Sequence, residues 1–259
     1  MTFQKVKLIE RAPFPLTFRT ELLLVYANQK PASEILYCQM KKFTPEINCY
    51  EIGGEDTQKL SSLMDKIGVY YKFGKSMIWM NGDIFMKGDL SEKDLDDMCR
   101  RYGVTKGWYD DREFFMMLFL GKRDPLKEDL LYAPANLSFT EHISIFIGKD
   151  SKWLERMETA FYEGDDYQRG LCNGFPITSI EAYAGFSPIF RGSFIDGTPF
   201  GFFSFFRHSA EYHQEELETV VRKWHDTVKR LSPKMYEEIR INEQIRYKKM
   251  LEQKSKQNF

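Results

Sequence analysis

The sequence predicts an α+β protein of mixed α/β character. The expected architecture is a central, mostly antiparallel or mixed sheet with flanking helices and a helical C-terminus. Three observations carry that expectation. Residues 47–73 read as strand, helix, strand; Asn81-Gly82 stands between two apolar runs; and an apolar stripe from Leu217 to Leu231 is followed by Ser232-Pro233.

The elements follow in chain order. TELLLVYA (residues 20–27) and EILYCQM (34–40) read as strands of one sheet. INCYEI (47–52) is a β-type run, and GGED turns the chain into a helix. The apolar residues of that helix, Leu60, Leu63, Met64 and Ile67, keep 3–4 spacing, and Gly68 stops it before VYYKF resumes extended structure. In SMIWMNGDIFMKG, Asn81-Gly82 accepts positive φ at both central turn positions, so a hairpin is expected there. DLSEKDLDDMCRRYG (89–103) then opens with Ser91 and Asp94 in capping-box places.

In the second half, LFLGKRDPLKEDLL (118–131) and IFIGKDSKWLERM (145–157) share one plan: an apolar strand, Gly-Lys, an Asp, then a helical pattern. In the second copy Asp150 is the expected N-cap, ahead of the stripe Trp153, Leu154, Met157 and Phe161. Thr178 and Glu181 fit a capping box, so ITSIEAYAG should be a short helix closed by Gly185. GTPFGFFSFFRH (197–208) reads as a turn and a buried strand. Leu217, Val220, Val221, Trp224, Val228 and Leu231 share one helical face. Ser232 and Pro233 then supply an N-cap and a first-position Pro for a last helix. With no Pro/Gly/Ser linker, the expected division is residues 1–105 and 106–259, or one continuous domain, with the break near residues 102–111.

Bulk properties exclude several functions. Lys plus Arg number 37 and Asp plus Glu 38, for a net charge of -1, which gives no general field for nucleic acid. The basic excess of segment 240–256 leaves nucleic acid or an acidic partner as a local option. The longest apolar run, FFMMLFL (114–120), is far short of the roughly 20 residues a membrane span needs. Cys38, Cys49, Cys99 and Cys172 are scattered without a CxxC pair. A cytoplasmic protein with free thiols, no disulfide framework and no membrane is therefore expected.

Candidate chemistry gathers in residues 163–183. Glu163, Asp166 and Arg169 precede LCNGFPITSIEAYAG, where Gly174 and Pro176 shape a tight loop before a helix start. The functional reading is a site for a small anionic or nucleotide-like substrate. Its catalytic candidates are Cys172, Glu163 and Asp166, with His142 from the strand HISI. Its ligand-binding candidates are Arg169, Asn173, Gly174, Ser179 and Glu181, with an anion taken by N–H groups near Ser179 and Ile180. The plain reading is a structural corner with a buried thiol, and no His stands near Cys172 in sequence. HISI resembles one half of the paired motif of 2H phosphoesterases, but no second copy occurs, so nothing is carried over from that family.

His208 and His213 are five apart, a poor fit to one helix face, and no metal is assigned. Fingerprints for dinucleotides, phosphate loops and the serine-hydrolase elbow do not occur, and no cofactor is assigned. Two functions remain: an intracellular enzyme with its site at 163–183, or a non-catalytic binding protein using its C-terminal helices as a partner surface.

Overall fold

The computed structural model describes residues 2–37, 41–44, 47–51, 55–80, 83–86, 139–190, 198–204 and 206–257, with Ser91, Lys93, Asp96, Asp97 and Arg100. The expected helix at 89–103 is thus described only in part, and the first copy of the Gly-Lys plan lies outside the described residues. So does the stretch near residues 102–111 where a domain break was expected. The fold is α+β with a helical C-terminus, as the sequence predicts. Its two compact units are assembled from interleaved segments. One comprises Met1–Ile35, Leu60–Lys72 and Phe146–Phe259; the other comprises Leu36–Lys59 and Phe73–Ile145.

The described strands are β1 (Ala32–Tyr37), β2 (Lys41–Thr44), β3 (Ile47–Glu51), β4 (Tyr70–Met80), β5 (Asp83–Met86) and β6 (Phe139–Gly148). They form one sheet in the order β3-β2-β6-β4-β5, and β1 also pairs β6. The pairings β2–β3, β2–β6 and β4–β5 are antiparallel. In the last of these Met80 pairs Asp83, while Asn81-Gly82, where a hairpin turn is expected, lies outside the described residues.

The first unit is helical. It opens with α1 (Phe3–Glu10) and α2 (Leu16–Tyr26). Here the structure corrects the sequence: TELLLVYA is helix, not strand. Leu22, Leu23, Leu24 and Val25 are all buried, and so is Phe18. A helix covered on every side has no amphipathic stripe, so periodicity cannot separate it from a buried strand. α3 (Glu55–Ile67) buries Leu60, Leu63, Met64 and Ile67 and ends at Gly68, whose φ is +74.

After β6, Asp150 caps α4 (Ser151–Glu163) by accepting from Trp153 N at 2.9 Å. The expected stripe packs a cluster of Ala32, Phe146, Leu154, Met157 and Cys172, with Trp153 and Phe161 beside it. Next come α5 (Asp166–Cys172), α6 (Ile177–Tyr183) and α7 (Pro199–Phe203). α7 is a second correction, because PFGFF is a short helix with Pro at its start rather than a buried strand.

The C-terminal run is α8 (His213–Glu216), a π-helical turn (Leu217–Val221) and α9 (Arg222–Leu231). Val221, Trp224 and Val228 are buried, so the predicted stripe is a core face. Ser232 caps α10 (Pro233–Gln257), its hydroxyl accepting from Met235 N at 3.4 Å and donating to buried Glu10 at 2.6 Å. Trp224 fills the centre of this unit. Its indole N–H donates to Gln29 O, and the buried Lys30 ammonium lies 4.5 Å from its ring. Lys30 in turn meets both oxygens of Glu21 at 2.9 and 2.7 Å, and Ser33 donates to the same carboxylate. Burial depresses the Lys30 pKa, and the Glu21 carboxylate opposes that shift.

Candidate active site

A cavity of about 400 Å³ opens inside the first unit, within the size range of small-molecule sites. α5 supplies Asp166, Arg169, Gly170 and, at its end, Asn173; Phe175 follows; α6 supplies Ser179, Ile180 and Tyr183; and the segment after α7 supplies Ser204, Phe206 and Arg207. Two glycines allow this assembly. A Cβ on Gly170 would stand 2.7 Å from Ile180 Cγ1, so only glycine lets α6 close on α5. Gly174 turns the chain between those helices with φ +69, the left-handed region that side chains disfavour.

At one wall of the cavity stands a polar chain. Ser204 caps α7 and lies half-buried. Its Oγ is 2.5 Å from His208 Nε2, and His208 Nδ1 is 2.9 Å from Glu216 Oε2. His208 and Glu216 are both buried, at 6% and 2% exposure, so water does not compete for their bond. Glu216 is fixed from three sides: Thr178 donates to Oε1 at 2.6 Å, and the Ser209 N–H reaches both oxygens at 3.3 and 3.1 Å. Burial works against the charged carboxylate. The hydrogen bonds from His208, Thr178 and Ser209 outweigh it and hold the Glu216 pKa below the ordinary 4.5.

A carboxylate only accepts, so the neutral imidazole carries its proton on Nδ1. Nε2 then presents its lone pair to the Ser204 hydroxyl. Serine, imidazole and carboxylate in this order, with a space beside the serine, are the parts of a nucleophile activated by an oriented base.

A π-helical turn follows Glu216 directly. In a regular α-helix, residues five apart point about 140° apart. A π turn, with i→i+5 bonds, brings them near one face. Glu216 and Val221 are five apart and both buried.

Four residues named from sequence line the cavity: Asp166, Arg169, Asn173 and Ser179. Arg169 donates to Asp166 at 2.8 Å and to Glu34 at 2.9 Å, and Asn173 donates to Arg169 O at 3.0 Å. Gly174 sets the turn beside them.

The others stand elsewhere. Glu163 is exposed at the end of α4, and Glu181 does not line the cavity. Cys172 points into the apolar cluster, fully buried, and burial raises its thiol pKa, which is the reverse of what a nucleophile needs. His142 lies on β6, in the other compact unit, where burial lowers its imidazole pKa. The capping box is also corrected. α6 starts at Ile177 after Pro176, whose carbonyl accepts from both Ser179 N and Ile180 N at 3.1 Å. Those N–H groups are therefore occupied, and Thr178 serves Glu216 instead.

The sequence does not single out Ser204, His208 and Glu216 as a set, because FFSFFRH reads as a strand and HSAEYHQEE as a poor metal pattern. His213 does not converge with His208: its Nδ1 faces Ala210 O at 2.9 Å and its ring stacks on Phe190. The usable signal was a lone Ser in a Phe-rich run with a His four residues on. Comparison with protein-family models, curated proteins and solved structures finds no match for this chain.

Proposed function

We propose that the protein is an enzyme with a serine nucleophile, hydrolysing a small ester bound in the cavity. One observation carries the reading: the Ser204–His208–Glu216 chain of hydrogen bonds ends, at its serine, on the cavity wall. In the proposed reaction His208 Nε2 takes the Ser204 proton while Oγ attacks the ester carbonyl. The tetrahedral adduct collapses and expels the alcohol, which leaves with the proton from the imidazolium. Water, deprotonated by the same nitrogen, then cleaves the acyl-serine, releasing the acid and restoring Ser204. Glu216 holds the imidazole tautomer and offsets its positive charge between the two transfers.

The test is p-nitrophenyl acetate hydrolysis by purified protein. Ser204→Ala should lower the rate by at least about 100-fold while leaving the melting temperature close to that of the parent. An unchanged rate in that variant refutes the reading.

A second reading is supported by the exposed Ile241, Ile245, Tyr247 and Leu251 of α10. These apolar side chains on the last helix suit a partner surface, and a catalytic cavity does not exclude one.

A further inference from the structure

Within that reading, on which this step rests, we infer that the substrate carries a carboxylate, bound by Arg207 at the mouth of the cavity. The charge arrangement of the lining leads there. Arg169 faces the cavity with its charge already matched, one Nη on Asp166 and the other on Glu34, at 2.8 and 2.9 Å. Asp166, exposed on the same lining, is matched in turn by Arg169. Arg207 is the exception: it is exposed, lines the cavity, and among the described residues has no ion pair or hydrogen bond.

It also follows Ser204 by three residues and precedes His208 directly, so its backbone is anchored by the nucleophilic chain itself. A guanidinium presents a planar fork that takes a carboxylate through two parallel N–H···O bonds. The single negative charge matters as well. One unmatched guanidinium balances one negative charge, so a monoanionic carboxylate suits the cavity better than a dianionic phosphate monoester. Elsewhere the lining includes the apolar or aromatic side chains of Phe175, Ile180, Tyr183 and Phe206. The substrate class is therefore a compact ester with an apolar or aromatic body and a carboxylate at one end.

The experiment is direct binding, which does not depend on turnover. The Ser204→Ala protein and the parent are titrated calorimetrically with phenylacetate, with its neutral counterpart 2-phenylethanol, and with phenyl phosphate. Phenylacetate should bind at least tenfold more tightly than 2-phenylethanol and more tightly than phenyl phosphate. Arg207→Gln should erase the preference over the alcohol, and Arg207→Lys should restore part of it. Arg207 is exposed, so these variants should melt with the parent.

Equal affinity for acid and alcohol, no detectable binding of phenylacetate, or a preference that survives Arg207→Gln would overturn the inference. Tighter binding of phenyl phosphate would overturn the carboxylate assignment. A failure of the nucleophile reading appears instead as undiminished ester hydrolysis by Ser204→Ala, and leaves the binding comparison as it stands.

Discussion

Replacing Glu216 with Gln removes the charge and one of two acceptor oxygens while keeping the shape. In the parent those oxygens serve Thr178 Oγ1 at 2.6 Å, His208 Nδ1 at 2.9 Å and the Ser209 N–H at 3.3 and 3.1 Å. A glutamine has one acceptor oxygen, and its amide N–H₂ would meet at least one of these donors. Glu216 is 2% exposed, so water cannot make up the loss. Hydrogen bonds to a charged group contribute about 1.5–3 kcal/mol each, so losing one or two costs about 3 kcal/mol. For a chain of this size that corresponds to a fall of about 6–12 °C in Tm.

The pH dependence has a definite sign. The folded-state pKa of Glu216 is held below the ordinary 4.5. Its contribution is thus present in full above that value and is lost as pH falls through the lower folded pKa. Below about pH 4.5 the parent should lose stability more steeply than Glu216→Gln, and the two melting curves should converge. Thermal melts followed by circular dichroism from pH 3 to 8 check both effects. Equal Tm values at pH 7, or parallel pH profiles, would refute the reasoning.

Other substitutions test the surrounding frame. Trp224→Ala removes a side chain that is 1% exposed and should cost about 3–5 kcal/mol in urea unfolding. Lys30→Met leaves Glu21 buried without its cation and should cost about 3–5 kcal/mol. The double change Lys30→Met with Glu21→Leu should recover much of that loss. Cys172 should resist alkylation in the native protein and react once unfolded, as peptide mapping by mass spectrometry would show; rapid native labelling would contradict its place in the apolar cluster.

Much of the fold was legible because local chemistry agreed with the final structure. Asp150, Gly68 and Ser232-Pro233 act through their own backbone neighbourhoods, so their roles survive in any tertiary context. The α2 helix and the PFGFF helix were not legible, because a continuous apolar run carries no period. The lining of the candidate site was half legible. Asp166, Arg169, Asn173 and Ser179 stand close together in sequence and meet on adjoining helices. Ser204, His208 and Glu216 meet across the irregular stretch between α7 and α8, and Thr178 joins them from α6. No spacing rule encodes contacts made across an irregular stretch. Cys172 drew attention by chemical type alone, and burial then removed its reactivity.

The central claim is that Ser204 is a nucleophile activated by His208. The most direct measurement is covalent labelling of the native protein with a fluorophosphonate, followed by peptide mapping. The account predicts one adduct per chain, on Ser204, formed much more slowly in Glu216→Gln. An unlabelled Ser204, or an adduct on another residue with Ser204 intact, would contradict it.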